Sequence, residues 1–300
     1  VDTAIAVDEL TKDYGRRRAL DHLTLEVPRG EVYGFLGPNG AGKTTTLRIL
    51  LDLLRPTSGH ATVLGLDAQR DALAVHRRIA YVPGDVALWP QLTGGQAIDI
   101  LLALHGGTEP KRRDELIAGF QLDPTVRCRA YSKGNRQKVA LVAAFAAEVD
   151  VLIMDEPTSG LDPLMEAVFR GRLVAARDEG RTVLLSSHIL GEVESTCDRV
   201  GIIRAGHLVE SGTLDELRHL SEYTVDAEVT HLPELDGIAG VDDLVVQPAN
   251  GGYRVRCRVH PEATAGLLAA LAHAGVRTLT SRPPSLEELF LRYYDADDAS

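Results

Sequence analysis

Residues 31–54 read EVYGFLGPNGAGKTTTLRILLDLL. Val32–Leu36 has the unbroken apolar character of a buried strand, and it runs into a glycine. From Lys43 the residues take up helical spacing, which predicts a helix to Leu54, stopped by the Pro and Gly of RPTSG at 55–59. Between strand and helix lie Gly37, Pro38, Asn39, Gly40, Ala41, Gly42, Lys43, Thr44 and Thr45, which fit G-x-x-x-x-G-K-[ST]. Glycines let such a loop wrap phosphate oxygens with its N–H groups turned inward, and the helix N-terminus behind it favours anions. Lys43 is placed to reach β- and γ-phosphates, and the Thr44 hydroxyl to ligate Mg²⁺. A glycine-rich turn with an accidental Lys-Thr would have no need of the flanking strand and helix.

Further along, residues 151–156 read VLIMDE, a buried strand ending in two carboxylates. Alone it would pass for an acidic strand terminus. Beside a phosphate loop, Asp155 suits direct or indirect coordination of Mg²⁺, and Glu156 suits a base that orients and polarises water. His188 follows the strand TVLLSS; taken alone, a His there more often caps an element or fills a core. Residues 131–141, YSKGNRQKVAL, open like an amphipathic helix, and their own chemistry leaves open whether they do more.

IAVDEL and LTLEV predict short strands ahead of Val32, and ATVLG and IAYVP two more beyond the phosphate loop. A helix is expected near 72–78 and two helical pieces over 94–122. Strands VLIMD, TVLLSS and VGIIRAG then alternate with helices at about 163–179 and 188–197. Such alternation predicts an α/β fold whose parallel-rich sheet is covered on both faces. From about residue 221 the texture changes. YTVDAEV, DLVVQP and YRVRCRV read as strands, the last two joined by Asn-Gly-Gly at 250–252. The helix PEATAGLLAALAHAG, the strand VRTLTS and a closing amphipathic helix SLEELFLRYY follow. With a short helix near 232–235 the order approaches β-α-β-β-α-β, the split sandwich of ferredoxin-like domains. The expected organisation is a nucleotide-binding domain at 1–220 and a small α+β domain at 221–300.

Apolar residues make up 44% and charged residues 25% of the 300, a globular balance that allows one large or two modest domains. The apolar run VALVAAFAA at 139–147 is far below the ~18–20 residues needed to span a bilayer. No basic-then-apolar leader opens the sequence, which predicts an unprocessed, cytoplasmic protein. The net charge of −11 is uneven, with 13 acids against 6 bases over 221–300. No basic face is implied, so nucleic acid is not the expected partner. Cys128, Cys197 and Cys257, odd in number and far apart, predict free thiols rather than a metal or disulfide site. No internal repeat is evident, and only the tail DADDAS is of low complexity.

In this order, the phosphate loop, MDEPTSGLD and LLSSH resemble the ATP-binding cassette (ABC) ATPase family over about residues 5–220. The resemblance implies a P-loop fold with a parallel-rich sheet, an antiparallel β subdomain and a helical subdomain at about 85–150. YSKGNRQKVA falls where that family carries its LSGGQ signature; Ser132 and Gly134 match, while Tyr131, Lys133 and Asn135 depart from the pattern. In the family this helix N-terminus caps the γ-phosphate of ATP held by the opposite subunit, a role that free N–H groups and the helix dipole can fill. Lys133 would add positive charge there. Tyr14 in KDYG falls where the family stacks an aromatic on adenine, the alternative being a strand-end Tyr. Ser159, Gly160, Leu161 and Asp162 resemble the loop through which two sites communicate, and His188 resembles the family's switch histidine at the γ-phosphate. YVPGDVALWPQLT resembles the loop that senses Mg²⁺ and the membrane partner, but Gly84 stands where Gln is usual. Asp85 or a water would stand in for it, and Gln91 lies too far along. Trp89 and Pro90 either pack on a membrane subunit or bury locally.

LTGGQAIDIL, EPTSGLDPLMEAVFR and LLSSHILGEVE look like ATPase subunits of bacterial multidrug or antibiotic exporters, and PSLEELFLRYY like the end of their C-terminal extension. That resemblance implies ATP hydrolysis coupled to transport, with ATP and Mg²⁺ as ligands and a separate transmembrane permease as partner. It also implies a homodimer or heterodimer of nucleotide-binding subunits on the cytoplasmic face of the membrane. The alternative is a cassette protein acting on DNA or ribosomes. Such chains carry a long coiled-coil insertion or paired cassettes, whereas here there is one phosphate loop and no long heptad run. A P-loop kinase or GTPase leaves YSKGN, SGLD and His188 without a reason.

Overall fold

Two long antiparallel strands open the chain, β1 (Thr3–Tyr14) and β2 (Arg17–Pro28). They belong to a computed structural model that describes residues 2–107, 109–219, 222–233, 235, 238–249, 251–283 and 287–288. In β2, Leu23, Leu25 and Val27 are buried while His22, Thr24 and Glu26 are not, the alternation of a half-buried strand. β3 (Val32–Leu36) is buried throughout and leads through the glycine loop into α1 (Lys43–Leu50). β4 (Ser58–Val63), β5 (Leu66–Asp67), α2 (Ala72–His76) and β6 (Ile79–Val82) follow. Then come α3 (Gly94–Ala103), α4 (Pro110–Gly119) and α5 (Lys133–Ala146). β7 (Val151–Asp155), α6 (Pro163–Asp178), β8 (Thr182–Ser187), α7 (Leu190–Glu194) and β9 (Arg199–Arg204) restore the alternation. β10 (His207–Thr213) and α8 (Leu214–His219) complete this run.

Two sheets result. The antiparallel one has the order β2-β1-β4-β5, and the other runs β10-β9-β3-β8-β7-β6 with β9, β3, β8, β7 and β6 parallel. β3, β7 and β8 are buried at every position, which is why they read as unbroken apolar runs. One core joins the sheets: Ile5 and Leu23 from the first, Phe35, Ile153 and Leu184 from the second, and Leu47 from α1. The parallel register sets Leu36 beside Ser187 and Asp155 beside Ser186, so the carboxyl ends of three strands share one edge. That edge is where open α/β sheets bind ligands.

α3 begins with a reciprocal cap: Thr93 Oγ1 accepts from Gln96 N at 3.2 Å and Gln96 Oε1 accepts from Thr93 N at 2.9 Å. α5 buries an aromatic seam, Phe145 lying between Phe120 at 6.3 Å and Phe169 at 5.9 Å. α1 stops four residues short of the expected Leu54. Asp52 turns left-handed at φ 50°, and Asp52 N and Leu53 N donate back to Ile49 O (3.1 Å) and Arg48 O (2.9 Å). This Schellman closure ends the helix before the Pro-Gly stretch is reached. α7 is also shorter than the expected 188–197, and β10 and α8 were not anticipated. Among the described residues no helix is long and apolar enough to cross a membrane, and all three cysteines are buried and free.

The chain divides into two compact units, Val1–Ser211 and Gly212–Ser300. In the second, β11 (Tyr223–Val229), β12 (Val241–Ala249), β13 (Gly252–Val259), α9 (Thr264–His273) and β14 (Val276–Arg282) form an antiparallel sheet ordered β12-β13-β11-β14. Val225, Ala227, Val255, Cys257, Leu267 and Leu271 make its own core. Part of the helix expected at 232–235, Asn250 of the expected turn, nearly all of SLEELFLRYY and the acidic tail lie outside the described residues.

Candidate functional site

The glycine loop closes tightly on its surroundings. A Cβ on Gly37 would overlap Ile203 O, and one on Gly42, at φ 118°, would lie 2.6 Å from Leu20 Cδ2 and 2.9 Å from Ala19 O. Only glycine fits both places. Lys43, 6% exposed, donates from Nζ to Gly37 O and to Pro38 O at 3.3 Å. The same ammonium stands 3.5 Å from Glu156 Oε1. A buried cation is thus held among loop carbonyls and one carboxylate, each a neighbour that a phosphate oxygen can replace.

The carboxylates of β7 are separately tethered. Thr44 Oγ1 donates to Asp155 Oδ2 at 2.9 Å, and Ser186 Oγ to Asp155 Oδ1 at 2.6 Å, so a strand neighbour fixes the side chain that orients the Thr44 hydroxyl. Burial, then the negative charge of Asp155, push the Tyr81 phenol up to about 12. Glu156 follows in the left-handed region at φ 48°, its N–H donating to Ser186 O at 3.1 Å. Its Oε2 lies 2.7 Å from His188 Nδ1. Lys43, Thr44, Asp155, Glu156 and His188 therefore meet at the sheet edge, brought there by α1, β7 and the end of β8.

An open cavity of about 350 Å³ lies over the loop. Pro38, Asn39, Gly40, Gly42 and Thr45 line it with Lys43, Thr44 and Glu156, and the β1–β2 hairpin adds Tyr14, Arg17 and Ala19. Tyr14, the last residue of β1, is 47% exposed at the cavity wall, with Lys12 Nζ 5.3 Å from its ring centroid. Arg17 and Ala19 escaped the sequence reading. Arg17 reaches over the loop, its guanidinium 3.4 Å from where a Gly40 Cβ would sit. Its signal was weak: one arginine in the run Arg16–Arg17–Arg18, which reads as a solvated turn.

A second constellation forms elsewhere. Ser132 caps α5, its Oγ accepting from Asn135 N at 3.2 Å. Lys133 Nζ donates to Ser159 Oγ at 2.7 Å, and Gln137 Nε2 to Pro157 O at 3.0 Å. Gly134 packs so closely on the 159–162 segment that a Cβ would overlap Gly160 O. Leu161 N donates to Thr158 O at 2.9 Å, and Asp162 caps α6 by accepting from Met165 N at 3.0 Å. Residues 132–135 and 159–162 are thus joined within the chain. Among the described residues, 132–135 are not in the walls of the cavity above.

Gly84 sits beside the carboxylate pair, a Cβ there lying 3.1 Å from Asp155 O and 3.7 Å from Glu156 Cβ. Asp85 and Pro90 are exposed, and Trp89, 46% exposed, is not locally buried.

A glycine loop closed on a lysine, a hydroxyl–carboxylate pair and a Glu–His pair at the carboxyl edge of a parallel sheet are the parts of a P-loop ATPase. More narrowly, the family model described as ABC transporter matches residues 20–159, and the chain belongs to that family. It is 38% identical over 301 residues to the daunorubicin resistance ATP-binding protein DrrA3 of Streptomyces coeruleorubidus, covering 97% of this chain and 95% of that protein. It is 37% identical over 222 residues to the bacitracin transport ATP-binding protein BcrA of Bacillus licheniformis, covering 73% of this chain and 72% of that one. A solved structure described as the ATP-binding subunit of an ABC transporter matches with a TM-score of 0.67 at 32% identity, over 72% of this chain and 92% of the other. The chain is an ATP-binding, ATP-hydrolysing cassette.

Proposed function

We propose that this cassette powers a separate membrane permease that exports a drug or antibiotic, as the names of its relatives suggest. The observation that carries the site reading is the convergence of Lys43, Thr44, Asp155, Glu156 and His188 at the sheet edge, where Lys43, Thr44 and Glu156 also line the open cavity. ATP lies along loop 37–45 with adenine on Tyr14, and Lys43 Nζ exchanges the Gly37 and Pro38 carbonyls for phosphate oxygens. Thr44 Oγ1 and Asp155 Oδ2, 2.9 Å apart, are hard oxygen donors of the kind Mg²⁺ takes, and these two residues would hold it. When bound, Mg²⁺ neutralises charge on the phosphate oxygens. Glu156 accepts a hydrogen bond from the attacking water, and His188 steadies Glu156 through Nδ1.

Residues 132–135 complete the site of a second subunit, homologous or identical, by presenting the start of α5 to its γ-phosphate. Residues 159–162, bonded to that helix start, carry the state of one site to the other. Cytoplasmic placement against the membrane follows from the permease partner. Leu53, Leu73 and Leu104 stand exposed around one groove with Tyr81 and His105, an apolar surface suited to a permease segment. The domain at 221–300 is accessory, supporting dimerisation or regulation.

The test is Glu156→Gln, which keeps shape and removes the basic carboxylate. ATP binding is expected to persist while turnover falls at least about 100-fold, and ATP-bound dimers are expected to accumulate on size exclusion. Hydrolysis near the parent rate would overturn the assignment.

A further inference from the structure

We propose that Glu192 is a positioning residue, whose single carboxylate oxygen holds the Glu156 loop and the His188 loop in register. Thr158 Oγ1 donates to Glu192 Oε2 at 2.9 Å, and Ser187 Oγ approaches the same oxygen at 3.4 Å. Thr158 lies two residues after Glu156, and Ser187 immediately precedes His188. The clamp therefore grips both segments that carry the 2.7 Å pair between Glu156 Oε2 and His188 Nδ1. Ser187 is itself tied down, its Oγ accepting from Ile189 N at 2.9 Å.

Glu192 is anchored from its own side as well. Its backbone carbonyl accepts from Ser195 Oγ at 2.9 Å and Thr196 Oγ1 at 2.6 Å, which closes the short α7 around it. The position is costly for a carboxylate. Burial raises its pKa above the usual range, the Thr158 hydrogen bond opposes that, and the charges of Glu166 and Glu156 add to it. An aliphatic side chain would fit the half-buried setting without this cost, but it could accept neither hydroxyl. The carboxylate bonds of Glu192 go to Thr158 and Ser187, so its action runs through the segments that carry Glu156 and His188.

The inference rests on the reading of Glu156 as the base and His188 as its partner. Its consequence is a division between rate constants. A displacement of about 1 Å at a reacting pair costs on the order of 100-fold in rate, while loop 37–45 and Tyr14, which hold the nucleotide, are untouched.

The experiment measures steady-state ATPase and the binding of a fluorescent ATP analogue for the full-length parent, Glu192→Ala, Glu192→Gln, Thr158→Val and Glu156→Gln. Glu192→Ala is expected to lower kcat by about 10- to 100-fold, with the KM for ATP and analogue binding within about twofold. Glu192→Gln is expected to recover most of kcat, because its amide oxygen can accept both hydroxyls. Thr158→Val, nearly the same shape without the donor, is expected to reproduce part of the loss and serves if Glu192→Ala does not fold. Parent-like kcat in Glu192→Ala and Thr158→Val overturns the inference. So does equal slowing of Glu192→Ala and Glu192→Gln, which would assign the effect to charge. A joint loss of kcat, nucleotide binding and Tm would mark Glu192 as merely structural. Failure of the underlying reading is separate: there Glu156→Gln itself keeps turnover.

Discussion

Ser132→Asp separates the proposed role of the α5 start toward a second subunit from its role inside its own chain. Gly134→Asp, the more obvious choice, is compromised because any Cβ at 134 overlaps Gly160 O of the same chain. Ser132 has no such conflict: it is exposed, and its Oγ caps α5 by accepting from Asn135 N at 3.2 Å. Asp caps helices about as well as Ser, so the fold is expected to change by less than about 0.5 kcal/mol. Toward a facing γ-phosphate the substitution is severe. Two unit charges ~4 Å apart in an effective dielectric of ~20 repel by about 4 kcal/mol, and that corresponds to about a thousandfold in dimer closure. Monomeric Ser132→Asp should still bind ATP through its own loop 37–45, yet fail to dimerise and to hydrolyse. Mixing it with Lys43→Ala gives mixed dimers with one doubly defective site and one intact site. ATPase absent from either parent variant should then return. The proposed role in trans is refuted if Ser132→Asp hydrolyses ATP normally. It is also refuted if labelled subunits exchange and no activity returns, provided that parent and Lys43→Ala mixed dimers do hydrolyse through their one sound loop.

Arg17→Ala, removing the guanidinium that overhangs Gly40, should raise the KM for ATP about fivefold with kcat nearly unchanged, an effect of about 1 kcal/mol for a partly exposed cation; an unchanged KM would place Arg17 outside the binding site. Asp226 is held down at about 2 by hydrogen bonds from Arg254 and, more weakly, Arg256, against some burial. Because its folded pKa is depressed, its contribution is complete above the ordinary carboxylate range and is lost as pH falls through about 2. Asp226→Asn should therefore lower the Tm of the C-terminal unit near neutral pH and flatten its acid limb in calorimetry; parallel acid limbs would count against it. A chain ending at His219 keeps β10 and the whole of the first core, so it should stay folded and bind nucleotide. Aggregation with loss of binding would show that the two cores depend on each other.

What could be read from sequence was what is local. Loop 37–45 needs only its own spacing and two flanking elements, and VLIMDE announces both its burial and its carboxylates. The end of α1 was misplaced because a left-handed Asp52 and two backward hydrogen bonds leave no mark in Leu51 to Leu54, which continue the apolar spacing. β10 was missed because HLVESGT mixes turn-forming residues into its alternation. Long-range contacts were out of reach in a different way. His188 and Glu156 are both visible in the chain, but their 2.7 Å contact depends on the register of β7 and β8. Likewise, nothing near Gly134 indicates that its missing side chain makes room for the carbonyl of Gly160.

Glu156 occupies backbone territory that suits glycine. A non-glycine residue at φ 48° bears strain of about 1–3 kcal/mol, and here it is borne one residue beyond the end of β7, at the sheet edge. Glycine at that position would relax the turn and remove the carboxylate together. With Glu156 as the proposed base, endurance and turnover are opposed at one residue. Directed evolution of this chain for heat resistance alone would drift toward robust but idle proteins at position 156, unless each round also selected for ATP consumption.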